Sequence, residues 1–224
     1  NCVSYDPTFA YELAVIVQDG MSRMYQDQEN IYYYLSVMNE NYSHPAMPEG
    51  SAAGILRGMY MFQEGAKDAA LKVQLMGSGT IFREVIAAAD LLKADYGIDA
   101  DIWSCPSFNE LRRDGMAVER HNMLNPMAAQ QVPYVTECLT GRTGPVIAAT
   151  DYKRAFADQV REYVPAKYLV LGCDGYGRSD SRKALRSFFE VDRYHVAIAA
   201  LKALADEGKI PAAKVAEALE KYGI

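Results

Sequence analysis

Short apolar segments alternate with longer amphipathic ones through most of this 224-residue chain, and this alternation constrains the fold more than any other feature. The pattern of a strand occurs in KVQLMGSG, DADIWSCPS, PVIAATDY and KYLVLGCDG. The pattern of a helix occurs in TIFREVIAAADLLKADYG, which Gly97 ends, and in KRAFADQVREYV. Strands that alternate with helices favour a parallel sheet. We therefore predict an α/β fold, a mainly parallel sheet with helices on both faces.

The first 45 residues have a simpler pattern. FAYELAVIVQDGMSRMYQ has apolar residues at helical spacing, with Asp6 and Pro7 as the predicted cap and first-turn residues. NIYYYLSVM is continuously apolar and aromatic, which predicts a buried strand. One helix and one strand cannot cover both faces of a sheet layer. We therefore expect this part to pack against something outside the first fifty residues.

A linker is predicted in PAMPEGSAAG (45–54), because its proline, glycine and small residues neither pack well nor continue a strand. A domain boundary is expected between residues 45 and 70. The last third of the chain is predicted to be helical, with breaks at VD and GKIP. The first residue is Asn rather than Met, so we expect the chain to begin inside a longer protein.

Composition excludes several function classes. The formal charge of −6 argues against a nucleic-acid partner, and no apolar run approaches the roughly 20 residues of a membrane span. The four cysteines have no C-x-x-C spacing, which predicts reduced thiols in a cytoplasmic protein. His121 and His195 have no partner at metal-ligand spacing, and no G-x-S-x-G motif introduces a serine nucleophile.

A family resemblance covers essentially the whole chain. The segments LMGSG, DIWSCPS, LGCDGYGRSDSRKALRSFFEVD and AIAALKAL resemble the C-terminal domain of transketolase-like thiamin diphosphate enzymes. Within that group, YYYLSVMNENYSHPAMPEG and DGYGRSDSR are most similar to the homodimeric pyruvate dehydrogenase E1 components of bacteria. The resemblance implies three parts: residues 1–45 as the end of a pyrimidine-binding middle domain, 46–70 as a linker, and 71–224 as the C-terminal domain.

The resemblance also implies an activity. Such an E1 component uses thiamin diphosphate and Mg²⁺ to decarboxylate pyruvate oxidatively and passes the acetyl group to lipoyl groups of the E2 subunit. This chain has no G-D-G motif followed by Asn for the metal, so the fragment is expected to bind no cofactor and to be inactive alone. A homodimer, an E2 partner and a cytoplasmic location are implied. A stand-alone, non-catalytic assembly or docking module remains the alternative.

The segment NENYSHPAMPEG follows the predicted strand near residue 35 and holds the first candidate site. Ligands of α/β proteins meet the carboxyl ends of strands. By resemblance, Glu40, Asn41 and His44 would form the rim of the substrate channel, while no residue of this chain is assigned as catalytic. The alternative is structural: Glu40 and Asn41 cap the strand, and His44 is a surface residue that binds the linker.

A basic cluster is the second candidate site. Arg182 and Arg186 share one helix face, with Arg178 just before them and Lys183 and Arg193 near them, while Leu185, Phe188 and Phe189 are predicted to face the core. The cluster is either a solvated face or a docking patch for an acidic partner subunit. GSG (77–79) is predicted to be a tight turn rather than an anion site, because the lone G-x-G lacks a third glycine.

Overall fold

The computed structural model describes residues 1–224 and consists of two sheet layers. The N-terminal layer contains strand β1 (Cys2–Tyr5), helix α1 (Ala10–Met21) with a π-helical turn at Ser22–Gln26, and strand β2 (Tyr32–Leu35). The two strands are parallel, with Cys2 opposite Tyr32 and Tyr5 opposite Leu35. This layer is the helix and strand that the sequence predicts, with one additional strand before them.

Two expectations for this layer are wrong in detail. The residue at the N-cap position of α1 is Phe9, whose backbone N–H donates to the carboxylate of Glu12, so Asp6 and Pro7 lie before the helix. Strand β2 is not buried, because the side chains of Tyr32 and Tyr34 are 54% and 59% exposed. No element of this chain packs on that face of β2, and an apolar pattern alone does not distinguish a covered face from an uncovered one.

The second layer is a five-stranded sheet in the order β3-β5-β4-β6-β7, in which only β3 is antiparallel to its neighbour. Its elements along the chain are α2 (Ala52–Arg57), β3 (Tyr60–Gln63), β4 (Lys72–Gly77), α3 (Phe82–Tyr96), β5 (Asp99–Ser104), α4 (Phe108–Leu124), α5 (Tyr134–Leu139), β6 (Val146–Ala149), α6 (Arg154–Asp158), β7 (Tyr168–Leu171), α7 (Arg182–Phe188), α8 (Arg193–Asp206) and α9 (Ala213–Tyr222). The predicted α/β class and the helical breaks near residues 192 and 210 are confirmed.

Helices cover both faces of this sheet, because alternate residues of each central strand enter two different cores. Leu75 of β4 and Ile147 of β6 pack with α3 and α8, whereas Met76 and Ala148 pack with α4 and α5 on the other side. The apolar stripe of the predicted helix TIFREVIAAADLLKADYG faces the core, since all its members are buried: Ile81, Val85, Ala88, Ala89 and Leu92.

The range 46–70, predicted to be a linker, contains helix α2 and strand β3. Strand β3 pairs with β5 and its Tyr60 is buried, so this segment adds an edge to the main sheet. The strand was not identified from the sequence because it follows the proline- and glycine-containing stretch that predicts a linker. Phe188 also departs from expectation: it is 55% exposed rather than in the core.

A buried carboxylate joins the two layers. Glu12 of α1 is fully buried, and its Oε1 accepts hydrogen bonds from Tyr60 Oη of β3 at 2.7 Å and from Ser104 Oγ of β5 at 2.6 Å. Its Oε2 accepts the backbone N–H groups of Thr8 and Phe9. A single side chain therefore ties the start of α1 to two strands of the second layer. No helix of the protein has both the length and the apolar character needed to cross a membrane.

Candidate functional site

The order of strands in the main sheet defines where a ligand would bind. The chain passes from β4 to β5 on one side and then crosses back to β6 on the other side of β4, so the topological switch point lies between β4 and β6. In open α/β sheets the crevice outside the carboxyl ends of the strands at this point is the usual ligand site. Thr80 follows β4 and Asp151 follows β6, and both line a cavity of about 780 Å³.

The wall of this cavity is built from segments that each follow a strand. Residues 37–40 come after β2 of the first layer, 80–81 after β4, 151 after β6, and 173–178 after β7. Helix α7 closes the remaining side with Arg182, Leu185 and Arg186. The cavity thus lies at the junction of the two layers, and we call it the switch-point cavity.

Glu40 is the centre of an ion-pair network in this wall. Its Oε1 lies 2.9 Å from Arg83 Nη1, and its Oε2 lies 3.1 Å from Arg186 Nη2 and 3.5 Å from Arg182 Nε. Thr80 Oγ1 donates a further hydrogen bond to Oε2 at 3.2 Å. Burial alone would raise the pKa of Glu40, but the bonds from Arg83 and Arg186 outweigh it and hold the pKa below its ordinary value.

Arg186 links this network to a second carboxylate. Its Nη1 lies 3.1 Å from Glu84 Oε1 of α3, and its Nη2 donates to Thr80 Oγ1 at 2.8 Å. The other oxygen of Glu84 lies 2.8 Å from Arg193 Nε. The side chain of Arg186 is only 15% exposed, so its charge is already matched inside the protein. Arg186 therefore fixes α7 against α3 and the segment after β2.

The structure brings together residues that the sequence identified as two separate sites. Glu40, from the predicted channel rim, is in contact with Arg182 and Arg186 of the basic cluster, and Arg178 lines the same cavity. Three contributors were missed: Asn39, which accepts a bond from Arg182 at 2.8 Å, Thr80 and Arg83. Thr80 lies directly after the predicted GSG turn, and Arg83 lies three residues later. Their position just after a strand that ends at the sheet edge could have identified them as cavity residues.

The other two rim candidates lie elsewhere. His44 Nδ1 accepts the backbone N–H of Ala10, the first residue of α1, at 3.0 Å, and its ring stacks on Tyr42 with centroids 4.7 Å apart. This bond satisfies a free N–H group at the helix start. Asn41 is exposed and does not line the cavity. Within the predicted rim, only Glu40 contributes to the switch-point cavity.

The titratable groups of the cavity favour binding over covalent chemistry. Burial raises the pKa of the Cys173 thiol to about 11, which leaves little of the nucleophilic thiolate at neutral pH. Burial also raises the pKa of Asp151. No three His, Cys, Asp or Glu side chains come together in an arrangement that could hold a metal ion. What the site presents instead is several arginine donors around a concave, partly apolar space.

Replacing Glu84 by glutamine should weaken the fold and change its response to acid. Burial would raise the pKa of Glu84, but the bonds from Arg193 win and lower it. A lowered folded-state pKa gives stability that is present above the unfolded-state value of 4.5 and is lost as the pH falls through the folded-state value. We expect the free energy of unfolding of Glu84→Gln to be about 1–3 kcal/mol lower than that of the wild type at pH 7. Below pH 4.5 it should decline less steeply with falling pH than the wild-type value does. Urea unfolding at several pH values measures both.

The matched control is Glu207→Gln, which removes an exposed carboxylate without a side-chain contact. It should leave both the stability and its pH dependence near wild type. A Glu84→Gln protein with the acid response of the wild type would contradict this assignment of the lowered pKa.

Family models match both parts of the chain. Residues 58–192 match the transketolase-like TK C-terminal domain, and residues 1–45 match the pyruvate dehydrogenase E1 component middle domain. The chain is 61% identical over 225 aligned residues to a pyruvate dehydrogenase E1 component of Cupriavidus necator and 52% identical over 228 to one of Escherichia coli. Each alignment covers 100% of this chain but 25% of the relative, so the chain spans about a quarter of the length of these curated relatives.

Solved structures give the same fold at much lower identity. A transketolase from Campylobacter jejuni matches with a TM-score of 0.61 and 16% identity, over 90% of this chain and 26% of its own. An inactive β4 tetramer of a split-gene transketolase matches with a TM-score of 0.55 and 19% identity, over 92% of this chain and 58% of its own. The resemblance found in the sequence is confirmed, and the chain belongs to the transketolase-like TK C-terminal domain family, preceded by a segment of the E1 middle-domain type.

Proposed function

We propose that this chain is part of the E1 component of a pyruvate dehydrogenase complex. The observation that carries the proposal is the 61% identity, over the whole chain, with a relative of that name. The whole enzyme would catalyse the oxidative decarboxylation of pyruvate and pass the acetyl group to lipoyl groups of an E2 subunit. Thiamin diphosphate with Mg²⁺, when bound, supplies the chemistry that removes CO₂ from a 2-oxo acid.

The residues of this chain do not fit a magnesium-diphosphate site. Such a site needs several oxygen ligands around one ion, and the chain has no suitable cluster of carboxylates. Of the three carboxylates in or beside the cavity, Glu40 and Glu84 are already bound by arginines, and Asp151 remains alone. We therefore derive no step of the reaction through the cofactor, and we assign no catalytic residue to this chain. Its proposed contribution is one wall of the space that substrates and partners approach.

The proposal is tested with the complete protein that contains this chain. Supplied with thiamin diphosphate, Mg²⁺ and a lipoyl domain, it should acetylate that domain from pyruvate, whereas the 224-residue chain alone should not. A complete protein that lacks this activity but still assembles with an E2 subunit would favour the docking-module alternative. The cytoplasmic location and the homodimer predicted from the sequence stay predictions.

Glu40 is the proposed rim residue with the largest effect on catalysis. Replacing it by glutamine in the complete protein would release three arginines from one carboxylate and shift the cavity wall. We expect kcat/KM for pyruvate to fall roughly tenfold, equivalent to about 1.4 kcal/mol. The His44→Ala protein should keep values near wild type, because His44 contacts α1 rather than the cavity. Unchanged steady-state kinetics for Glu40→Gln would remove Glu40 from the rim.

Docking of an acidic partner would involve only part of the predicted patch. The side chain of Arg182 is 54% exposed and Arg178 is also exposed, whereas Arg186 is held between two carboxylates. If Arg178 and Arg182 bind the E2 subunit, replacing both with glutamate should weaken assembly with E2. The wild-type association should depend strongly on salt concentration, and that of the double variant should not. Unchanged assembly would leave this surface without a docking role.

The division of the chain is also a proposal: 1–45 as the end of a middle domain, 46–70 as a connecting segment and 71–224 as the C-terminal domain. The match of the middle-domain model to residues 1–45 supports the first boundary. In the complete protein, the rest of that domain would cover Tyr32 and Tyr34. Tetranitromethane should then modify these tyrosines far more slowly than Tyr176, which is 96% exposed in the second layer. Equal rates, read by mass spectrometry, would refute this covering.

A further inference from the structure

Positive charge exceeds negative charge around the switch-point cavity. Three carboxylates lie in or beside the cavity, Asp151, Glu40 and Glu84, and the last two are shared among four arginine side chains: Arg83, Arg182, Arg186 and Arg193. Arg178 adds a cation to the cavity wall and forms no ion pair with any carboxylate. Because the protein as a whole carries a formal charge of −6, this excess is a local feature. A local excess of cations at a concave surface attracts anions.

Two of these arginines keep donors available for a ligand. The guanidinium of Arg178 lies 4.1 Å from the centre of the Phe188 ring, a contact that leaves its N–H groups without a hydrogen-bond acceptor. Arg182 donates from Nη2 to Asn39 Oδ1 at 2.8 Å, and its Nε lies 3.5 Å from a Glu40 oxygen that it shares with Arg186, so its Nη1 keeps free donors. Both side chains are exposed and both line the cavity. Arginine N–H forks match phosphate oxygens in geometry and charge.

The dimensions and the remaining walls favour a small molecule over a peptide or a flat protein surface. The volume of about 780 Å³ lies within the roughly 300–1,000 Å³ typical of small-molecule sites. Apolar side chains also line the cavity, among them Val37, Ile81, Leu185, Phe189 and Val191. The cavity also opens at the switch point between β4 and β6, where α/β sheets bind ligands.

We propose that the switch-point cavity binds a small organic phosphate, with its phosphate on Arg178 and Arg182 and an apolar or aromatic body against the apolar side chains of the lining. Because residues of both layers form the cavity, such a ligand would contact the segment after β2 and helix α7 at once. The ligand would occupy the cavity whose wall also holds Glu40, the proposed rim residue, but its binding is measured without pyruvate turnover.

The experiment is isothermal titration of the complete protein with ADP, which carries both a diphosphate and an aromatic ring. Thiamin diphosphate and Mg²⁺ are kept saturating, so that ADP does not compete at a thiamin diphosphate site. We expect one ADP per chain, and a loss of at least tenfold in affinity in the R178A/R182A protein. Adenosine, without phosphate, should not bind. R112A/R120A is the charge-matched control, since Arg112 and Arg120 are exposed side chains of α4 outside the cavity, and it should bind ADP like the wild type.

Cys173 provides a local reporter, because it lines the cavity and is half-buried. ADP should slow its alkylation by N-ethylmaleimide severalfold, while Cys2 of β1 should react at the same rate with and without ADP. The proposal is overturned if millimolar ADP gives no binding, if the double variant binds ADP as the wild type does, or if bound ADP leaves the reactivity of Cys173 unchanged. Because no readout requires turnover, a failure of the proposed E1 activity would be seen separately.

Discussion

Replacing Glu12 by alanine is expected to destabilise the protein by roughly 3–5 kcal/mol, one of the two largest effects that the structure predicts. The carboxylate is fully buried and accepts four hydrogen bonds, from Thr8 N–H, Phe9 N–H, Tyr60 Oη and Ser104 Oγ. Alanine would leave these donors buried without an acceptor and would open a space between the layers. The measurement is urea unfolding followed by far-UV circular dichroism.

Glu12→Gln should lie between the wild type and alanine, because it keeps one acceptor oxygen but directs an amide N–H₂ group at donors. Glu207→Ala removes an exposed carboxylate and should change the unfolding midpoint little. If Glu12→Ala unfolded at the wild-type urea concentration, the two layers would have to be held together by other contacts, and Glu12 would not be the residue that joins them.

The second large effect is expected for Gly144→Ala. Gly144 has a φ of +88°, and a Cβ built there would lie 1.8 Å from the backbone carbonyl oxygen of Lys72. The residue directly precedes Pro145, whose carbonyl accepts the N–H of Gln74, a bond at the start of the β4–β6 pairing. The variant must move backbone against backbone as well as adopt a left-handed conformation. We expect a loss of about 3–5 kcal/mol, measured by the same unfolding experiment.

Gly141→Ala separates these two causes. Gly141 also has a positive φ, +77°, but no atom lies within 4 Å of a Cβ built there. Replacing Gly141 by alanine should therefore lower the free energy of unfolding only by the cost of a left-handed backbone conformation, about 1–2 kcal/mol. Equal losses of unfolding free energy in Gly144→Ala and Gly141→Ala would show that the close approach to Lys72 does not add to the destabilisation.

The main sheet was predictable because most of its strands are apolar runs that alternate with longer helical patterns. Strand β4 and helix α3 each have buried residues at the spacing that their type requires, and Gly97, with a φ of +65°, ends the helix as expected. Strands β1 and β3 were not predicted, because CVSY of β1 is not a continuous apolar run and β3 follows the stretch that predicts a linker. Helix α4 is amphipathic and was simply not identified from the sequence.

The switch-point cavity was only half predictable. Glu40 and the arginines of α7 were identified as chemically unusual residues, but their contact joins positions 146 residues apart, which no local pattern encodes. The switch point itself depends on the strand order, which becomes visible only when β6 is seen on the opposite side of β4 from β5. The role of His44 at the start of α1 likewise depends on the path by which the chain returns over that helix.

The uncovered outer edge of β2 has a consequence for how such a piece of protein can be made in a cell. Strand β2 pairs only with β1, and its tyrosines lie open to solvent on one face. An exposed edge of this kind can pair with a strand of another molecule, which favours aggregation. During synthesis of a longer polypeptide, the segments upstream leave the ribosome first and are available to cover that edge at once. Expression of this segment by itself would instead depend on chaperones or on a solubilising fusion partner.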